Sequence, residues 1–314
     1  MLHGARTRHN GIASRGGPRL SQRAREEIAA YLFISPWLIG FLIFTLGAMV
    51  FSLGLSFTKT DLLTSIRFTG LDNYLALWDD RFVRQALKVT TLYTFTTVPV
   101  GTALALGIAV LLNQNVAVQG LFRTIYYLPS VVSGVAVGIL WQWIYHPEFG
   151  LINAMLAAIG IDGPRWLFSR EWALPALILM SLWGVGGSML IFLAGLQSVP
   201  TELYDASHVD GANAWRRFRH VTIPMLTPTI FFNLVLSIIG SYQVFTNAYV
   251  MTQGGPGSAT LMLVLLLYRV AFEQFKFGYA SAIAWLLFGI IMVFTLLVIR
   301  SASFWVYYAG EERT

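Results

Sequence analysis

The sequence predicts an all-α fold: a polytopic membrane protein with about six transmembrane helices. Three observations carry that expectation. Of 314 residues, 56% are hydrophobic and only 11% are charged, where a water-soluble domain carries about 25% charged residues. Six apolar runs reach the roughly 20 residues needed to cross the hydrocarbon of a bilayer. Finally, the chain nowhere alternates apolar and polar residues over about 10 positions, as strands of a membrane barrel do.

The six runs lie near Ala29–Phe57, Val89–Leu112, Thr124–Tyr145, Ala173–Gln197, Thr229–Thr252 and Ala280–Ile299, and none contains Asp, Glu, Lys, Arg or His. A helix in lipid satisfies its own backbone and is apolar on all sides, so such runs read as helices without a marked period. The first run is too long for a cleavable signal peptide, and further spans follow it. Residues 1–28 are rich in Gly, Arg and Ser and read as a disordered basic tail. Residues 29–300 form the transmembrane domain, and residues 301–314 a second tail. Arg6, Arg8, Arg15, Arg19, Arg23 and Arg25 precede the first span. The preference of cytoplasmic segments for Lys and Arg then places both termini inside. Between spans five and six, Leu261–Leu267 is too short to cross and is followed by Arg269, Glu273 and Lys276. It reads as an amphipathic or partly inserted helix on the outer side.

Several functions are excluded by what is missing. With no cysteine, neither a disulfide framework nor a thiol nucleophile is available. The net charge of +6 comes from residues flanking apolar runs, which is a membrane pattern and not a nucleic-acid one. No phosphate-binding Gly-x-x-x-x-Gly-Lys-Ser/Thr loop is present. Gly54 with Lys59-Thr60 comes nearest, but no glycine precedes the lysine directly. Ion-coupled carriers usually bury an ionisable residue in the membrane, and these spans have none. A solute moved uphill would therefore depend on ATP handled by another chain. His146, His208 and His220 show no metal-ligand spacing, and His3 and His9 lie in the tail. No cofactor or metal is expected.

Span five carries the clearest internal pattern. At 100° per residue, Asn233, Ser237, Gly240, Ser241, Gln243 and Asn247 share one half of an ideal helix. Phe231, Phe232, Val235, Ile238, Ile239, Phe245 and Tyr249 share the other; Leu236 and Val244 interrupt the polar half and Thr246 the apolar one. Small and amide residues of this kind pack helices together; equally, they would line a wet path with neutral hydrogen-bonding groups suited to a polyhydroxyl ligand. In span four, Gly184, Gly186 and Gly187 allow close backbone approach or a helix break, with close packing favoured.

The loop between spans four and five, Val199–Pro228, reads as helix, turn, helix. Pro200 and Glu202 suit a helix start. Leu203, Ala206 and Ser207 share a face, Gly211 suits the turn, and Trp215 with Phe218 gives the second helix an apolar face. Pro224 is expected to end the unit. The loop serves either as a connector anchored by Arg216, Arg217 and Arg219 or as a short helix docking on a soluble partner.

The stretch Glu202-Leu-Tyr-Asp-Ala-Ser-His-Val-Asp-Gly-Ala212, with Ile223-Pro224 and Pro228, resembles the EAA loop of binding-protein-dependent ABC importer permeases. Asp205 stands where that family usually has Glu, and Ser207 where it has Ala, so charge and small size are kept. Phe68-Thr-Gly-Leu-Asp-Asn-Tyr74, Phe122–Ser130, Met189–Pro200, Tyr249–Pro256 and Tyr279-Ala-Ser-Ala282 are similar to segments of its carbohydrate, maltose-type first-permease branch. The resemblance implies a MetI-like core made of spans two to six. It implies a second permease subunit, two ATPase subunits, an extracytoplasmic solute-binding protein and a sugar substrate in a bacterial cell membrane. It implies that Glu202, Asp205, Ala206, Asp210, Gly211 and Ala212 couple to the ATPase. The span matching span five would hold the sugar midway across the bilayer. Combined with the polar half, this makes Ser237, Gly240, Ser241, Gln243, Val244 and Asn247 the candidate substrate contacts. No catalytic residue is implied. Glycerol 3-phosphate or a polyol is the alternative cargo, although a phosphate would want a cation in the path; a secondary carrier is the more distant alternative.

Overall fold

The computed structural model describes residues 22–61, 65–114 and 118–307, and the chain divides into two units at Ser52–Leu53. The first unit is helical. It contains α1 (Gln22–Gly40), a π-helical stretch Phe41–Gly47 and the start of α2 (Ala48–Ser56). Together these give a continuous apolar helix, Glu26–Ser56, of 31 residues. The helix begins inside the stretch expected to be tail; residues 1–21 lie outside the described residues. An Arg23–Glu27 pair at 3.5 Å, one helical turn apart, supports its polar first turn.

The second unit opens with a two-stranded hairpin, β1 (Thr58–Thr60) against β2 (Ile66–Phe68), antiparallel with Lys59 opposite Arg67. Then come α3 (Asp72–Asp79) and the long α4 (Arg81–Leu112). Asp80 caps α4 by accepting from Phe82 N at 2.7 Å. Two bent pairs follow. α5 (Gln119–Val131) and α6 (Gly134–Ile144) turn by 101°, while α8 (Ala173–Trp183) and α9 (Gly186–Gln197) turn by 42°. The short α7 (Leu151–Ala158) lies between the pairs. After the loop helices α10 (Thr201–Val209) and α11 (Ala214–Arg217) come α12 (Ile223–Tyr242), α13 (Thr246–Met251), α14 (Leu263–Tyr268) and α15 (Phe277–Trp305).

The chain is an all-α polytopic membrane protein. Among the described residues four helices are long and apolar enough to cross a membrane, and two bent pairs raise that to as many as six if each pair is one span. Each of the six apolar runs overlaps one of these helices or bent pairs, and the helices of the third, fourth and fifth runs are interrupted.

Lipid tails are as apolar as leucine, so helices associate here through close packing. Ala105, Ala109, Met189, Phe192, Leu193, Leu196 and Leu226 are buried together where α4, α9 and α12 meet. Gly195 permits that approach: a Cβ there would lie 2.7 Å from Thr229 Oγ1. A larger core joins α4, α8, α14 and α15. The stretch expected to be an amphipathic or partly inserted helix is packed into the core: Leu261 and Met262 before α14, and Leu263, Leu265 and Leu266 within it, are all buried. Thr90 of α4 accepts from Leu263 N at 2.9 Å and so satisfies a backbone donor at its start.

Gly186 shows both packing and a break. A Cβ there would collide with the Tyr126 carbonyl and lie 2.8 Å from Tyr127 Cα, whereas Gly187 faces open space. Gly186→Ala should therefore force α5 and α9 apart and cost about 1–3 kcal/mol, lowering the thermal midpoint of the detergent-solubilised protein. Gly187→Ala should leave it unchanged.

Candidate functional site

Irregular backbone at membrane depth is tolerated only where it is enclosed by protein or lines a cavity. Three such irregularities meet here. Span three breaks at Val132–Ser133, span four at Gly184–Val185, and span five at Gln243–Phe245. Ser130, just before the first break, donates from Oγ to Gly184 O at 3.3 Å and accepts from Gly187 N at 3.1 Å. Gly134, just after it, faces the third: a Cβ there would lie 3.5 Å from Thr246 Cγ2 and 4.0 Å from Asn247 Oδ1. Span three is thereby tied to both of its broken neighbours.

The break in span five alters the polar half. Arithmetic at 100° per residue assumes one regular helix, but α12 ends at Tyr242 and Gln243 takes φ −96°, ψ 11°. The exposed stripe of α12 is Phe232, Leu236, Gly240 and Gln243, spaced four, four and three apart. Phe232, expected in the opposite half, shares this face with Gly240 and Gln243, because at 100° per residue it lies only about 20° from Gln243, just across the dividing line. Asn233 is buried and donates to Ser188 O at 3.4 Å, joining α12 to α9. Ser237 and Ser241 are half-buried, and Ser241 Oγ bonds back to Ile238 O at 3.1 Å. Val244 lies within the break, and Asn247 belongs to α13, half-buried beside Gly134. Of the six candidate contacts, Gly240 and Gln243 are therefore open on one face, with Val244 and Asn247 beyond the turn.

One residue that positions the site was missed in the sequence. Gln142 of α6 donates from Nε2 to Val250 O at 2.8 Å and Met251 O at 3.3 Å, and Gly138, one turn earlier, receives Val250. These contacts hold the short α13 against α6. A lone glutamine in an otherwise apolar run was the available signal.

The loop Glu202–Ala212 forms α10 and a tight turn. Glu202 lies in its first turn. Gly211 adopts φ +71°, a region open to glycine at no steric cost. Asp210 N, Gly211 N and Ala212 N bond back to Ala206 O, His208 O and Ser207 O at 3.0, 3.0 and 2.9 Å, closing the helix end. Tyr204 Oη and Thr222 Oγ1, 3.1 Å apart, fasten α10 to the following helix. Leu203 and Ser207 do not share one environment: Ser207 is buried, while Leu203, Asp205, Ala206 and Val209 are exposed. Asn213 caps α11 by accepting from Arg216 N at 2.9 Å. Pro224, expected to end the unit, does not. A π-helical turn, Phe218–Thr222, precedes it, and the helix runs on from Ala214 through Pro224 to Tyr242. A proline at the start of α12 lacks only a donor that the wider turn does not need.

No group of three or more His, Asp and Glu able to hold a metal occurs among the described residues.

The site is thus a meeting of discontinuous spans lined by neutral groups, with a helix–turn–helix loop at one end, an arrangement found in membrane permeases. Residues 98–313 match the family of binding-protein-dependent transport system inner membrane components, and the chain belongs to that family. It is 45% identical over 293 residues to the probable ABC transporter permease protein YesP of Bacillus subtilis (strain 168), covering 92% of this chain and 94% of that one. It is 35% identical to the lactose transport system permease protein LacF of Rhizobium radiobacter, covering 94% and 98%. Its fold is similar to a chain in the crystal structure of a bacterial alginate ABC transporter in complex with an alginate pentasaccharide-bound periplasmic protein. That match has TM-score 0.78 and 25% identity, and covers 90% of this chain and 97% of that one.

Gln142→Leu should leave the Val250 and Met251 carbonyls unpaired, at about 1–3 kcal/mol. The expected outcome is a lower thermal midpoint, with α13 backbone amides exchanging faster by hydrogen–deuterium exchange.

Proposed function

We propose that this chain is the sugar-conducting permease subunit of an ATP-driven importer in a bacterial cell membrane, with both termini cytoplasmic. It pairs with a second permease subunit, two ATPase subunits and an extracytoplasmic solute-binding protein. The observation that carries the reading is the convergence of three helix breaks at a place without an ionisable side chain. Broken spans expose backbone and amide groups to a solute, and neutral donors and acceptors suit a polyhydroxyl molecule. A phosphate ester would call for a cation, so glycerol 3-phosphate fits less well. The names of relatives such as LacF, and of the arabinooligosaccharides transport system permease protein AraP of Bacillus subtilis (strain 168), support a saccharide. The chain itself is not an enzyme; ATP is hydrolysed by its partner.

In this reading Gly240, Gln243, Val244 and Asn247 face the solute, with Ser237 and Ser241 behind them. Glu202, Asp205, Ala206, Asp210, Gly211 and Ala212 dock on the ATPase through the exposed side of α10. Gln243→Leu should slow uptake about two- to tenfold, the loss of one hydrogen bond, with membrane content unchanged. Ile238→Val on the other side of α12 serves as control. Normal uptake by Gln243→Leu would remove this residue from the path.

Gly211→Val places a β-branched side chain at φ +71°, which strains the turn. Uptake should be lost and the ATPase subunits should no longer co-purify, while the second permease stays bound. Retention of both ATPase and uptake would make the loop a connector only.

A further inference from the structure

Five aromatic rings run outward from the break in span five. Phe245 stacks on Tyr249 at 5.2 Å and meets Tyr268 at 5.1 Å; Tyr249 and Tyr268 are 5.5 Å apart. Tyr268 then meets Phe272 at 5.3 Å, and Phe272 meets Phe277 at 5.8 Å. Each step is within the range of a direct ring contact. A buried cluster would need no further explanation, but Tyr249 is 37% and Phe272 57% exposed. The ladder is therefore open at Tyr249 and Phe272, with Phe245, Tyr268 and Phe277 half-buried between and beside them.

Its support is unusual. Phe272 and the Arg269–Glu273 pair sit on a π-helical turn, Arg269–Glu273, a wide turn common at functional sites. Arg269 donates from Nη2 to Gln253 O at 2.6 Å, while its Nε has no hydrogen-bond acceptor and lies 3.9 Å from Glu273 Oε2. The Tyr268 hydroxyl is held above the usual tyrosine pKa first by the Tyr249 hydroxyl, then by desolvation, by its hydrogen bond with Tyr249 and by Glu273. Flat apolar faces thus stand beside a row of hydroxyl, guanidinium and carboxylate groups. That combination matches a pyranose, whose C–H face is apolar and whose rim carries hydroxyls. It does not match an ion, which would be left without ligands against the rings, or a lipid chain, which has no use for the polar row.

We propose that Phe245, Tyr249, Tyr268 and Phe272 form a stacking track along which a sugar moves between the outer end of span five and the break at Gln243. The track rests on the reading of the chain as a sugar permease and names the path to that site. Because each ring is interchangeable for a stacked sugar, the track serves rate and not selectivity between related sugars.

The test uses the assembled importer in proteoliposomes with its binding protein, and radiolabelled lactose, trehalose and arabinotriose as probes. Tyr249→Leu and Phe272→Leu should each slow uptake of the transported sugar about two- to tenfold, with assembly and melting temperature unchanged. Tyr249→Phe and Phe272→Tyr, which keep the ring, should retain most of the wild-type rate. Wild-type rates in both leucine variants would overturn the track and leave the permease reading standing. A loss that appears only together with loss of assembly or melting temperature would also overturn it, making the rings an interfacial anchor. If the wild-type complex takes up none of the three sugars, track and sugar reading fall together.

Discussion

The constraint on which this molecule depends is that a peptide group inside a bilayer has no water to bond. Continuous helices meet it along most of the chain. Where three spans break, other means take over. Ser130 bonds on both sides of the gap in span four, Gln142 caps the carbonyls of α13, and Thr90 receives the first amide of α14. Each device costs a polar side chain in an apolar run, so each is a place where the sequence departs from plain hydrophobicity.

Much of this was legible before any coordinates. Length and apolarity find spans because hydrocarbon thickness is fixed, and all six runs overlap long apolar helices or bent helix pairs. Direction was not legible. Nothing in the composition of Thr124–Tyr145 signals a turn of 101°, since Pro129 and Ser133 are each tolerated within straight helices when neighbours supply the missing bonds. Span five shows the limit of dividing a helix into halves: at 100° per residue Phe232 lies only about 20° from Gln243, so a boundary drawn between them split one open face. The buried Asn233 and the open Gly240 look alike in sequence; only the packing of α9 tells them apart.

The loop was read more fully, because turn chemistry is local. Gly211 was expected at a turn and has φ +71°. Pro224 was misread, because one wider turn of helix removes the clash and the lost bond that normally stop a helix at proline. The match to the binding-protein-dependent permease family spans residues 98–313, which include the loop motif. The candidate substrate contacts carry no such motif. They depend on which face of a helix stays open, and that is decided by long-range packing.

The uninterrupted passage from α11 through the π-turn into α12 makes the loop and the membrane-embedded break two ends of one rod. From Ala214 to Tyr242 that rod is about 43 Å long at 1.5 Å per residue, so a tilt of about 5° about one end displaces the other by about 4 Å. Such a displacement is comparable to the width of a sugar ring. A hinge at Pro224 would have absorbed the tilt; the π-turn that keeps the helix whole passes it on, giving a small rotation at the water-exposed end a mechanical advantage deep in the bilayer.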